Sequence, residues 1–147
     1  MPPRGNQVTY TAAGGVVIDA EGDEVLLLIR PERDEVRLPK GHVEDDETIA
    51  ETALREVQEE SGYTDIEILT NLGEQLVTFP LDGQIVLRTE YYFLMRALTH
   101  RRADRPEKDA SQFISVWVPW EEAERHLTFE AEKEWARRAR EVWERQP

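Results

Sequence analysis

The order of the predicted elements indicates a mixed α/β fold. Two β-favouring stretches precede one amphipathic helix, further strand-like stretches follow it, and helical patterns end the chain. Strands and helices are grouped here, whereas a regular βαβ alternation would predict a parallel sheet, so we expect no Rossmann sheet. The chain has 147 residues, 39% of them apolar, and no internal repeat or linker. Residues 1–147 are therefore predicted to form one domain with its own core.

Two strands are predicted ahead of the helix. Residues 1–6 hold two prolines and a glycine and are expected to be disordered. Residues 8–19 predict a strand in which Gly14-Gly15 marks a bulge or a close approach of two backbones. Residues 24–30 form a continuous apolar run, typical of a buried strand, which Pro31 ends.

Residues 41–63, GHVEDDETIAETALREVQEESGY, predict a loop followed by one amphipathic helix. Asp45 or Asp46 can cap its start, and Ser61-Gly62 ends it. At about 100° per residue, one stripe of the helix is apolar and is expected to be buried. That stripe contains Ala50, Ala53, Leu54 and Val57.

Three glutamates form a second stripe beside the apolar one. Glu56, Glu59 and Glu60 stand at i, i+3 and i+4, so their mutual repulsion weakens the helix unless a cation neutralises it. Carboxylate oxygens at this density suit Mg²⁺, or alternatively Mn²⁺. Since Mg²⁺ usually shares substrate phosphates, the helix indicates metal-assisted attack on a phosphate. A solvated glutamate face is the alternative.

The second half of the chain predicts a long hairpin. Residues 65–79 form one or two strands, residues 80–83 a turn with an Asp-Gly signal, and residues 84–98 a long strand. In the last of these, Tyr91, Phe93 and Met95 alternate with Tyr92, Leu94 and Arg96. One set is expected to face the core and the other to line a cleft, where an aromatic ring could stack on a nucleobase.

The C-terminal part predicts a loop, a strand and two helices. Residues 100–110 are polar and contain proline, which indicates a mobile loop. Residues 113–118 predict a strand, and a short helix runs from Pro119-Trp120 to His126. Thr128 can cap a last helix, whose buried stripe is expected to hold Ala131, Trp135, Ala139 and Val142.

Charge and composition restrict the partners. The formal net charge is −13, which argues against duplex nucleic acid and against an anionic membrane. The chain has no cysteine, which excludes disulfides, thiolate catalysis and Cys-type zinc sites and fits a cytoplasmic location. No apolar run is long enough to span a bilayer, and no signal-peptide core is present. The acidic C-terminal helix is either a solvated face or part of a homodimer contact.

The spacing of the helix stretch resembles the Nudix box of the Nudix hydrolases. Gly41 is followed after five residues by Glu47, and after seven more by residues 55–62, REVQEESG. Tyr63 is the one departure, because the family usually has an aliphatic residue there; we expect altered packing and intact chemistry. The resemblance covers nearly the whole chain. It implies an α/β/α sandwich around a mixed β-sheet and hydrolysis of a diphosphate bond in a nucleoside diphosphate linked to another moiety.

The same resemblance implies roles for single residues. The metal ligands would be the carbonyl of Gly41 and the carboxylates of Glu56, Glu59 and Glu60. Arg55, Glu56 and Glu59 are the candidate catalytic residues; family members differ in which glutamate takes the proton from water, and Arg55 would orient a glutamate. Glu47 would support Arg55 by pairing with it.

One further acidic residue of the family is missing from its usual place. Many relatives have it about five positions before the tryptophan that is Trp117 here, and it can add a metal ligand or act as a base. This chain has Gln112 there. Glu107 or Asp109 is near enough in sequence to substitute for it.

A small nucleotide is the predicted substrate. Four cations lie just ahead of or at the start of the box. Three of them, Arg30, Arg37 and Lys40, are predicted to bind the nucleotide together with His42. The fourth, Arg33, is as readily part of a solvated loop. Residues 38–44, LPKGHVE, resemble the lead-in of dinucleoside polyphosphate hydrolases and of their diphosphoinositol-cleaving relatives, which favours a dinucleoside polyphosphate. Phe79-Pro80 instead resembles the ADP-ribose hydrolases, which makes ADP-ribose an alternative substrate. A nucleoside triphosphate, oxidised or not, is another alternative. A non-catalytic nucleotide-binding module is a further alternative, against which the complete box argues.

Overall fold

The computed structural model describes residues 7–146, which form a mixed β-sheet flanked by helices. Its strands are β1 (Gln7–Ile18), β2 (Glu24–Arg30), β3 (Glu35–Arg37), β4 (Lys40–His42), β5 (Ile66–Leu81), β6 (Gln84–Ala97) and β7 (Ile114–Pro119). Its helices are α1 (Ile49–Ser61), α2 (Glu107–Gln112), α3 (Trp120–His126) and α4 (Glu130–Glu144). The prediction for residues 1–6 lies outside the described residues.

The sheet has the strand order β3-β2-β1-β6-β5, with β4 paired to β1 and β7 paired to β2. β1 and β6 run parallel over their whole common length, whereas the other pairs are antiparallel. β2 pairs with β1 only where Ile18 lies opposite Val25, so the middle of β1 pairs with β4 instead. Gly41 of β4 thereby lies against the Glu56 side chain of α1.

The central part of the sheet is buried on both faces. On one face Val16, Ile18, Tyr92 and Leu94 pack with Trp120 and Trp135 of α3 and α4. On the other face Ala13, Val17, Phe93 and Met95 pack with Ala53 and Val57 of α1. The α/β/α sandwich is therefore confirmed. Because both alternating sets of β6 reach a core, the expected division into a core set and a cleft set is wrong.

Helix α1 starts from a different cap than predicted. The N-cap is Thr48, whose Oγ1 accepts a hydrogen bond from Glu51 N at 3.1 Å, while Glu51 Oε1 accepts one from Thr48 N at 2.9 Å. This reciprocal pair is a capping box, and Asp45 and Asp46 are exposed residues ahead of it. The predicted end is confirmed, since Gly62 takes the left-handed conformation with φ 88°.

Two predictions for the C-terminal part are wrong. The segment predicted to be a mobile loop contains the start of α2, which tertiary contact stabilises: Asp109 is buried against the rest of the protein. Thr128 does not cap α4, whose N-cap is Phe129; Thr128 Oγ1 instead accepts a hydrogen bond from Val36 N at 2.8 Å. Among the described residues no helix is long and apolar enough to cross a membrane.

Candidate active site

Gly41 brings β4 into direct contact with the carboxylates of α1. A Cβ added at Gly41 would lie 2.1 Å from Cδ of Glu56, so a larger residue there would displace the Glu56 carboxylate from this position. The adjacent residue is also joined to the helix, because Lys40 N donates a hydrogen bond to Glu60 Oε1 at 2.8 Å. Strand β4 and helix α1 therefore meet through Gly41, Glu56 and Glu60.

Arg55 organises the outer side of the carboxylate cluster. Its Nε and Nη2 donate to the two oxygens of Glu47 at 2.6 and 3.0 Å, the pairing that the resemblance implies. Its Nη1 donates to Glu56 Oε1 at 2.8 Å and to Glu59 Oε2 at 3.3 Å. The bidentate bond with Arg55 lowers the pKa of Glu47 to about 2. Glu47 is thus a fixed anion that orients Arg55.

The inner carboxylates lie in a poorly solvated place. Burial, and after it the charge of Glu56, raises the pKa of Glu60 to about 8. Burial also raises the pKa of Glu56. A bound divalent cation would stabilise the charged forms of these two neighbouring carboxyls.

Asp109 of α2 is the further carboxylate at this cluster. Burial raises the pKa of Asp109, and the charge of Glu59 acts in the same direction. Glu107 is exposed on the same short helix. Of the two acidic residues that could replace the one missing at Gln112, the structure therefore brings Asp109 and not Glu107 to the carboxylates.

The donor set fits a hard cation. In the described part of the chain no three His, Asp or Glu side chains are arranged to hold a metal ion by themselves. Mg²⁺ seldom uses such a cage, since it keeps waters and shares substrate phosphates. The closely spaced carboxyls of Glu56 and Glu60 beside the backbone of Gly41 match that kind of site.

A cavity of about 160 Å³ opens beside this cluster. Its lining includes Arg37, Lys40 and His42, which are among the predicted substrate-binding residues, together with Gly41 and Glu60. The lining residues do not include Arg30, whose guanidinium lies 5.8 Å from the ring centre of Phe113. Arg33 is exposed in the turn after β2.

Two polar side chains of the cavity wall, those of Tyr10 and Arg88, were not predicted from the sequence. They face each other across the parallel pair β1–β6, where Arg88 Nη1 donates to Tyr10 Oη at 3.2 Å. The Tyr10 ring stacks on His42 with ring centres 4.1 Å apart, and burial together with the charge of Arg88 lowers the pKa of His42. The available signal was weak: a charged pair, Arg88 and Glu90, inside a predicted strand.

Tyr63 makes a contact that an aliphatic residue could not make. Its hydroxyl accepts a hydrogen bond from Trp117 Nε1 at 2.9 Å, and the two rings meet edge to face with centres 5.4 Å apart. The departure from the box therefore alters packing behind α1, away from Glu56 and Glu60.

The class of protein follows from comparison with known families. The family description "NUDIX domain" matches residues 9–143, so the chain belongs to the Nudix family. Members of this family are hydrolases that act on pyrophosphate bonds.

Particular relatives are similar to different degrees. A putative mutator protein MutT4 of Mycobacterium tuberculosis is 36% identical over 143 residues, which are 92% of this chain and 56% of that protein. The chain thus spans little more than half the length of that relative. An RNA pyrophosphohydrolase of Pseudomonas putida is 27% identical over 121 residues, 71% of this chain and 76% of that protein.

Solved structures agree with the fold. The crystal structure of a C. elegans Ap4A hydrolase binary complex superposes with a TM-score of 0.72 at 20% identity, covering 92% of this chain and 98% of that one. A Nudix hydrolase from M. smegmatis, RenU, superposes with a TM-score of 0.67 at 19% identity, covering 95% and 89%. At these identities the likeness concerns the fold alone.

Proposed function

We propose that the protein is a Mg²⁺-dependent pyrophosphohydrolase that cleaves a diphosphate bond in a nucleoside diphosphate linked to another moiety. One observation carries the proposal: the carboxylates of Glu56 and Glu60 adjoin a cavity whose wall holds three cations, Arg37, Lys40 and Arg88. A polyphosphate needs such a combination, because the metal site can hold the reacting phosphate while separate cations hold the rest. A cytoplasmic location and a homodimer stay predictions.

The residues have distinct tasks in this proposal. Gly41, Glu56, Glu59 and Glu60 would hold the metal ion, and Asp109 is placed to add a carboxylate. Bound Mg²⁺ supplies Lewis-acid polarisation and lowers the pKa of a water molecule. Mn²⁺ would suit the same oxygen ligands.

Side chains of the protein transfer the proton and orient the base. A glutamate of the cluster, Glu56 or Glu59, would take the proton from the attacking water. Arg55 holds both carboxylates through its Nη1 and is itself fixed by Glu47, so the base is oriented before substrate binds. Cations in the cavity wall would stabilise the charge that develops on the leaving phosphate.

A dinucleoside polyphosphate is the favoured substrate. The cavity wall holds Arg37, Lys40 and Arg88 together with Glu60, so cations are available there for phosphates that the metal does not reach, as a long phosphate chain requires. The stacked pair Tyr10 and His42 offers an aromatic surface on the same wall for a nucleobase. A nucleoside triphosphate is the second candidate, since the MutT4 relative is described as a putative mutator protein; ADP-ribose is a third.

A substrate panel tests the proposal. Diadenosine polyphosphates, ADP-ribose, an oxidised guanine nucleoside triphosphate, a diphosphoinositol and a 5′-triphosphate RNA are each incubated with Mg²⁺ and with Mn²⁺, and the products are identified by mass. Preferred cleavage of a diadenosine polyphosphate to ATP or ADP is the expected result. A preference for ADP-ribose or a triphosphate would overturn the substrate assignment. Absence of turnover on every compound would favour the non-catalytic binding module.

A further inference from the structure

Glu132 is a buried carboxylate that the proposed reaction does not use. It lies on α4 and is 2% exposed. Its Oε1 accepts a hydrogen bond from Leu38 N at 2.6 Å, and its Oε2 accepts one from Lys40 Nζ at 3.1 Å. A buried carboxylate is costly unless it is paired and hydrogen-bonded. Glu132 meets this condition through both oxygens, and Oε2 also lies 3.7 Å from Nε of Arg37. All three partners belong to the segment from β3 to β4, and Lys40 is the nearer of the two cations.

The Lys40 side chain connects Glu132 with the cavity. Lys40 lines the cavity wall and is 9% exposed. Among the described residues, Glu132 is the one ion-pair partner of its ammonium group. An ammonium has three N–H donors, so donors remain for an anionic group that enters the cavity. A lysine stem is long and flexible, and a fixed counterion reduces the conformational entropy that substrate binding would otherwise cost.

We propose that Glu132 is a positioning residue that holds the ammonium of Lys40 at the cavity wall, where Lys40 binds an outer phosphate of a polyphosphate ligand. The inference rests on the proposed function, because it requires the polyphosphate to occupy this cavity. It adds a residue from the far face of the sheet to the determinants of substrate affinity. The competing explanation is that Glu132 only anchors the lead-in segment to α4 and so stabilises the fold.

Three variants separate these explanations: Glu132→Gln, Lys40→Met and the double variant. The glutamine keeps an oxygen that can accept from Leu38 N but removes the charge that faces Lys40. Methionine keeps an unbranched apolar stem without the ammonium, and leaves the buried carboxylate of Glu132 with Arg37, at 3.7 Å, as its remaining ion-pair partner. Glu134→Gln is the matched control, since Glu134 lies on the same helix and pairs with Arg137 at the surface at 2.8 Å.

The ligand probe is a diadenosine tetraphosphate whose bridging oxygens are replaced by methylene groups, titrated by calorimetry in Mg²⁺. We expect Glu132→Gln and Lys40→Met each to weaken its Kd by roughly 10-fold, the effect of one hydrogen bond to a charged group. The double variant should bind as weakly as Lys40→Met, within about twofold, because Glu132 acts through Lys40. Glu134→Gln should stay within about twofold of the wild type.

Urea unfolding of the same proteins supplies the second readout. Lys40→Met should be less stable than the double variant, because its buried carboxylate keeps only the more distant Arg37 as counterion. If the double variant recovers binding along with stability, the loss in Lys40→Met comes from the poorly paired carboxylate and not from the missing ammonium, and the proposal is overturned. A double variant that binds roughly 100-fold more weakly than the wild type would show two independent losses and would overturn the proposal too. An unchanged Kd in Glu132→Gln would also overturn it.

The wild-type protein distinguishes this inference from the proposed function. Wild-type protein that binds the analogue but hydrolyses no member of the substrate panel would contradict the proposed hydrolysis, while the variants would still decide the role of Glu132. Wild-type protein that cleaves another panel compound but does not bind the analogue would contradict the inference and the dinucleoside polyphosphate assignment, and would leave the proposed hydrolysis standing.

Discussion

Gly41 is the residue on which the geometry of the carboxylate cluster depends most directly. A Cβ there would lie 2.3 and 2.4 Å from the two carboxylate oxygens of Glu56, so Gly41→Ala must displace that side chain. We expect turnover to fall on the order of 10²-fold, the effect of misplacing a reacting group by about 1 Å. Steady-state kinetics in saturating Mg²⁺ measures this, and urea unfolding checks that the variant folds. Turnover within about twofold of the wild type would show that Glu56 need not contact this backbone.

Glu47 gives a prediction for pH. Arg55 lowers its pKa from 4.5 to about 2. A carboxylate whose pKa is lowered by folding stabilises the protein above the unfolded-state pKa, and this stabilisation is lost as the pH falls through the folded-state pKa. The stability difference between the wild type and Glu47→Gln should therefore be constant near neutral pH, decrease below about 4.5 and vanish near 2.

Urea unfolding of both proteins at a series of pH values measures that difference. A stability difference that stays the same from neutral pH down to about 2 would contradict the Arg55 pairing as its source.

Residue roles that depend on local spacing could be predicted, and those that depend on distant strands or helices could not. Arg55, Glu56 and Glu59 lie on one helix, so their proximity follows from helix geometry. The pairing of Glu47 with Arg55 was implied by the resemblance to the Nudix box, since Glu47 lies ahead of that helix. Arg88 reaches Tyr10 only because β6 runs parallel to β1, and the sequence does not specify that register. Glu132 had a partial signal, since it falls on the buried stripe of α4 near Trp135.

At the scale of elements, the end of helix α1 was predicted correctly from the sequence, whereas its N-cap residue was not. Gly62 is the one residue near the end that readily takes a positive φ, which fixes the C-terminus. Near the start, Asp45, Asp46 and Thr48 are all good caps. The sequence Thr-Ile-Ala-Glu carried the decisive signal, because a threonine followed three residues later by glutamate forms a capping box.

The capping box has a direct test. Thr48→Ala removes the oxygen that accepts from Glu51 N, and we expect it to destabilise the protein by about 1 kcal/mol. Asp46→Ala is the control and should change the free energy of unfolding by less than about 0.5 kcal/mol. Urea unfolding decides between them, and the assignment of the cap is wrong if Asp46→Ala has the larger effect.

Helix α2 shows the limit of element prediction. Its sequence, EKDASQ, is short and polar, so periodicity gives no signal in so few residues. Contact with the rest of the protein stabilises it: Asp109 is buried, and Arg105 just before it donates to the carbonyls of Glu60 and Phe113 at 3.1 and 2.7 Å. By contrast β2 was predicted to the residue, because a continuous apolar run and Pro31 define it locally.

At the scale of the whole molecule, one short segment is held from both faces of the sheet. Helix α1 contributes Glu60, which accepts from Lys40 N, and helix α4 contributes Glu132, which accepts from Leu38 N and from Lys40 Nζ. β4 between them pairs with the middle of β1. The fold therefore joins the carboxylate cluster and the cavity in one rigid arrangement, although the chain carries a net charge of −13.

The dependence of turnover on Mg²⁺, compared between the wild type and Glu56→Gln, tests the central claim most directly. We expect the preferred panel substrate to be cleaved in Mg²⁺ and not in excess EDTA, and Glu56→Gln to lower turnover on the order of 10²-fold. Glu51→Gln is the matched control, because it lies on the same helix, is exposed and keeps an acceptor for the capping box. EDTA-insensitive cleavage, or wild-type turnover in Glu56→Gln, would contradict a metal-dependent carboxylate site on α1.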